Sequence, residues 1–184
     1  MRLFIIIILG MLLSACGTQE TKTEEPTQLA SNDLISSSES QEDKFTLRLV
    51  SEKEQYKVGE PLNIVAKLTY HGEEDITIGH GGSWVALSTT NLSKGYNFGS
   101  AMDTPYISRE IQSKQTIRKL YQFSGGTYHE GMGGTPFSEE EFLEMSKGKF
   151  PPGIYKIEAA TDFVIEGNDK KYSLKGKVIF EVIE

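Results

Sequence analysis

Phe150-Pro151-Pro152-Gly153-Ile154-Tyr155-Lys156-Ile157-Glu158-Ala159-Ala160-Thr161-Asp162-Phe163-Val164-Ile165 alternates in its later part between apolar and polar side chains. A period of two is that of a half-buried β-strand, with Tyr155, Ile157, Ala159, Thr161, Phe163 and Ile165 sharing one face. Pro151-Pro152-Gly153 breaks the chain before it, and Gly167-Asn168-Asp169 reverses it after. Residues 172–183 alternate again through Leu174, Gly176, Val178, Phe180 and Val182. The two runs are therefore expected to form a long C-terminal hairpin.

The same alternation recurs upstream. Residues 45–50 read as a strand, and Gly59-Glu60-Pro61 turns the chain into a second one that places Leu62, Ile64, Ala66, Leu68 and Tyr70 on one face. A polar reversal at residues 71–75 precedes Ile76-Thr77-Ile78, and a break at residues 79–82 precedes Trp84-Val85-Ala86-Leu87. Weaker strands are expected near residues 96–98, 106–111 and 115–123. One helix is signposted: Ser138 caps it, Glu141 completes a capping box, and Phe137 with Phe142 occupies the two positions of a hydrophobic staple. Lys147 and Gly148 suit its end, and Phe142, Leu143 and Met145 are its packing face. Many short strands with turns at regular intervals and one helix insertion specify an all-β antiparallel sandwich.

The Pro-Gly-x-Tyr entry at residues 152–155 resembles the tyrosine corner of immunoglobulin-like domains, in which the phenol bonds back to nearby backbone. Ile157 stands where antibody domains carry their second cysteine, and Trp84 is a candidate for the central core tryptophan. Tyr56-Lys57-Val58-Gly59-Glu60-Pro61-Leu62, the strand to Tyr70 and the later Pro-Pro-Gly-Ile-Tyr are together similar to small immunoglobulin-like domains of Gram-positive-type cell-envelope lipoproteins. They are also similar to the intracellular proteinase inhibitor family. The resemblance implies an immunoglobulin-like β-sandwich over residues 44–184, and protease inhibition as one alternative activity.

The N-terminus bears on location. Arg2, the apolar run 3–13 and the small residues after it form a secretory signal, because a spanning helix needs roughly 20 apolar residues. Leu13-Ser14-Ala15-Cys16 resembles the lipobox of bacterial lipoproteins. That resemblance implies cleavage before Cys16, a diacylglycerol thioether on it, and tethering at the extracytoplasmic face of a membrane. Residues 1–15 are then the signal peptide. Cys16 is the only cysteine, so the domain holds together without an internal disulfide.

Residues 17–43 carry seven acids and one lysine, a net charge of −6, within an overall charge of −7. They contain few apolar side chains, so residues 16–43 are expected to be the lipidated cysteine followed by a disordered acidic linker. Arg2 adds one positive charge, which leaves the chain from Lys44 onward nearly neutral at −2. A nearly neutral domain argues against a nucleic-acid partner.

Candidate chemistry is sparse. In the glycine-rich stretch 124–135, His129, Glu130 and Met132 offer nitrogen, oxygen and thioether donors within four residues. With His80, His71 or Met102 folded nearby they would make a copper site, since imidazole suits copper and thioether suits Cu(I). Tyr128 and Glu130 are candidates for a binding loop, and Tyr121 and Phe123 for a contact surface beside it. His80-Gly81-Gly82-Ser83 offers a base and a nucleophile without the elbow that exposes a catalytic serine. The expectation is therefore a non-catalytic, lipid-anchored binding module with an unidentified protein partner in the envelope and no cofactor. Copper handling and protease inhibition are the alternatives.

Overall fold

A computed structural model describes residues 33–98, 105–123, 125, 136–168 and 170–184. Among these residues eleven strands and one helix follow in the order β1 Ser37–Glu42, β2 Phe45–Ser51, β3 Gln55–Lys57, β4 Ile64–Tyr70, β5 Ile76–Asn91, β6 Tyr96–Asn97, β7 Ile107–Ile111, β8 Thr116–Leu120, α1 Glu139–Ser146, β9 Gly153–Ile165, β10 Lys171–Tyr172 and β11 Lys175–Ile183. One sheet has the order β1-β2-β4-β8, and the other β3-β11-β9-β5-β6 with β7 beside β5 and β10 beside β9. Every pairing is antiparallel except that of β3 with β11. Strands β2, β4 and β8 stand where an immunoglobulin-like sandwich has A, B and E, and β5, β9 and β11 where it has C, F and G.

The core lies between the sheets. Phe45, Leu47 and Leu49 of β2, Ile64, Ala66 and Leu68 of β4, and Tyr155, Ile157 and Phe163 of β9 are buried there. The expected face of β9 is thus the observed one, apart from Ile165, which is only partly buried. Trp84 is buried on the C-equivalent strand. Phe163 meets Phe45 edge-on at 4.9 Å and stacks on Tyr172 at 5.2 Å. The Tyr155 phenol donates to the Pro151 carbonyl at 2.9 Å, which is the backbone contact that defines a tyrosine corner.

The helix follows its local signals. Ser138 N–H donates to Glu141 Oε2 at 2.7 Å and Glu141 N–H to Ser138 Oγ at 3.2 Å, completing the capping box. At the other end Gly148 has φ +81, its N–H donates to Met145 O and the Lys149 N–H reaches back to Glu144 O, a Schellman ending. Phe142 and Met145 are buried, whereas Leu143 is 55% exposed, contrary to its expected packing. The helix has only two turns, and its covered stripe is too narrow to include that position. Phe98 gathers Phe123, Phe137 and Phe142 within 5.7 Å, so this aromatic cluster fixes the helix to the sandwich.

Three expectations are corrected. The sandwich includes residues before 44, because residues 37–42 form β1 in a six-residue register with β2. Polar composition hid this strand, since an edge strand is held by backbone ladder bonds to a sheet whose core others supply. Ser38 Oγ also accepts from Lys177 N–H at 2.6 Å, and Ile35 exchanges two backbone bonds with Ile179 at 2.8 and 2.9 Å. The expected break at residues 79–82 is instead a bulge within the single strand β5: His80 pairs with Phe163 and Val85 with Thr161, leaving four residues opposite Asp162. The expected final strand is split between β10 and β11.

Candidate functional site

The outer face of the four-stranded sheet concentrates charge in a way that packing does not require. Alternation turns Leu47, Ala66 and Ile117 inward, so Arg48, Lys67 and Arg118 face out. Register then sets them side by side: Glu39 is opposite Arg48, Arg48 opposite Lys67, and Lys67 opposite Arg118. Three cations thus form one row across adjacent strands, with a single acid at the β1 end. None of the three is ion-paired among the described residues. Like charges directly opposite on a sheet face repel, so this row costs stability.

A parallel row of hydroxyls flanks the cations. Thr46, Thr69 and Thr116 are in register, and Thr69 Oγ1 and Thr116 Oγ1 share a hydrogen bond of 2.9 Å. His71 closes this row, its Nε2 2.8 Å from Thr46 Oγ1. Together these side chains line an open groove of about 550 Å³. On the other side of the cation row lie Val50, Val65 and Leu120, the last 62% exposed. Lys67 was legible as an outward residue of its strand, but its alignment with Arg48 and Arg118 depends on inter-strand register.

The sequence candidates are placed as follows. Leu13, Ser14, Ala15 and Cys16 lie outside the described residues, as do Tyr128, His129, Glu130, Met132 and Met102. His80 is 6% exposed at the start of the β5 bulge; its Nδ1 meets the Gly81 carbonyl and its buried Nε2 has no partner among the described residues. His71 belongs to the groove of the other sheet, away from the strand that carries His80. Among the described residues no three His, Cys, Asp or Glu side chains are grouped to hold a metal ion. Tyr121 is not a contact-surface residue, since it is buried and bonded to Thr89 Oγ1 at 2.6 Å, whereas Phe123 is partly buried and packs edge-on to Phe150 at 5.6 Å.

Ser83 meets a lysine in place of the histidine. Lys119 Nζ donates to Ser83 Oγ at 2.6 Å, and burial lowers the Lys119 pKa. Ser83 donates its own proton to the Val85 carbonyl at 2.9 Å, so the hydroxyl is turned away from the amine that would have to accept that proton. The arrangement therefore ties β8 to the bulge of β5. No protein-family model matches the chain, and no curated protein matches it.

Proposed function

We propose that the chain is a lipid-anchored, non-catalytic lipoprotein whose immunoglobulin-like domain is a binding module on the extracytoplasmic face of the cell membrane. The supporting observation is the row Arg48–Lys67–Arg118, a repulsive alignment on an otherwise regular sheet, which a bound anion would relieve. The anchor rests on the lipobox resemblance at Leu13-Ser14-Ala15-Cys16. Two acyl chains contribute about 0.8 kcal/mol per buried methylene, enough for stable membrane residence. Among the described residues no helix is long and apolar enough to cross a membrane. The chain between Cys16 and Ile35, which bonds to Ile179 of the sandwich, spans no more than roughly 70 Å, which bounds how far from the bilayer the domain sits.

Expressing the full chain in a bacterium and separating membranes from soluble contents tests the anchor. The wild type is expected in the membrane fraction with acyl chains on Cys16 by mass spectrometry, and Cys16→Ser in the soluble fraction. A Cys16→Ser chain that stays with the membrane refutes lipid anchoring. Replacing the three cations tests the binding face, as follows.

A further inference from the structure

Resting on that reading of the face, we infer that the ligand is a linear inorganic polyphosphate chain laid across the strands of the four-stranded sheet. Two features of the face lead there, the length of the cation row and the position of the groove at the sheet edge. Strands are about 4.8 Å apart, so Arg48, Lys67 and Arg118 form a row roughly 10 Å long at backbone level. That row suits an extended anion with repeated charges better than a single compact one. Among the described residues β8 is the edge strand of its sheet, so no described strand lies beyond the Arg118 end of the row. A small anion held only by exposed side chains would be weakly bound in salt, whereas a polymer gains from several contacts at once.

The hydroxyl row favours phosphate over carboxylate. A guanidinium satisfies both oxygens of a carboxylate in one plane. A phosphate group has further oxygens out of that plane, and Thr69 and Thr116 lie two residues along the strands from Lys67 and Arg118, on the same face, where their hydroxyls meet such oxygens. The domain as a whole does not attract polyanions indiscriminately, since from Lys44 onward its net charge is −2. Attraction is local to this face, and Glu39 marks where it stops on the β1 side.

The test uses the full chain in detergent and fluorescently labelled linear inorganic polyphosphate, followed by anisotropy over a range of salt concentrations. Arg48→Gln/Lys67→Gln/Arg118→Gln is expected to weaken binding at least ~30-fold and to reduce the slope of log affinity against log salt by about 2, three cations at ~0.7 each. The charge-matched control Lys156→Gln/Lys171→Gln/Lys177→Gln, on the other sheet, is expected to stay within about 3-fold of wild type. The triple cation variant should melt no lower than wild type, because it removes like-charge repulsion. Arg118→Glu at the open edge strand repeats the test with one exposed change should the triple variant fold poorly.

No binding of polyphosphate at low salt overturns the inference. So does an equal loss in the control, which would mean diffuse attraction. Equal affinity for poly-L-glutamate would make this a surface for acidic polypeptide, and tighter binding of the anchor-free Cys16→Ser chain to phosphatidylglycerol vesicles than to polyphosphate would make it a membrane-facing surface; either result also overturns the proposal. A chain that remains membrane-bound through Cys16 yet ignores polyphosphate refutes the ligand and leaves the anchor standing.

Discussion

Replacing Tyr155 by Phe removes one oxygen from the corner where the insertion between β8 and β9 rejoins the sandwich. The ring itself has no solvent exposure, stands edge-on to Phe150 at 5.2 Å and stacks on Phe180 at 5.7 Å, and all of these contacts survive in Tyr155→Phe. What is lost is the bond to the Pro151 carbonyl at 2.9 Å, together with the phenol's interaction with Asn91. A hydrogen bond of this kind contributes a net ~0.5–1.5 kcal/mol, and an acceptor left dry would cost more. The expected loss is therefore about 1 kcal/mol. For a domain of this size that lowers the melting temperature by roughly 2–4 °C. Urea unfolding followed by circular dichroism should show the shift with an unchanged slope. Tyr155→Ala, which also removes the ring, should cost about 3–5 kcal/mol.

Alkali gives an independent check on the same residue. Burial raises the Tyr155 pKa, so the folded domain favours the neutral phenol. A raised acid contributes stability below its unfolded value of about 10 and loses that contribution as pH climbs past it. Tyr155→Phe has no such group, so the stability gap between wild type and variant should narrow above about pH 10. A Phe variant within ~0.3 kcal/mol of wild type at neutral pH would refute the corner as an anchoring contact. A gap that is constant through the alkaline range would refute the buried phenol.

Lys119 titrates in the opposite sense. Burial lowers its pKa, so just below the ordinary lysine range the folded chain binds fewer protons than the unfolded one, and stability rises with pH there. The difference between wild type and Lys119→Met, measured by urea unfolding from about pH 8 to pH 10, should carry that slope; a flat difference would show the ammonium to be fully solvated. Beginning the chain at residue 44 deletes β1 and its six paired residues, which should cost roughly 3 kcal/mol at about 0.5 kcal/mol per pair. The exposed edge of β2 should then promote self-association in analytical ultracentrifugation, and a monomer of unchanged stability would return residues 33–43 to the linker.

Local sequence was enough wherever the determining contacts lie within a few residues. Ser138 and Glu141 are three apart, Tyr155 and Pro151 four apart, and the inward faces of β2, β4 and β9 follow from alternation alone, so the helix ends, the corner and the core were legible. The site was not. Arg48, Lys67 and Arg118 are scattered along 70 residues of chain and become neighbours only through the pairing of β2 with β4 and β4 with β8. Lys119 reaches Ser83 across 36 positions, and β1 exists because β2 offers an open edge. Periodicity records which way a side chain points, since that is set by the backbone of its own strand. Which side chain stands beside it is set by register between strands distant in sequence, and only the assembled sheet determines that.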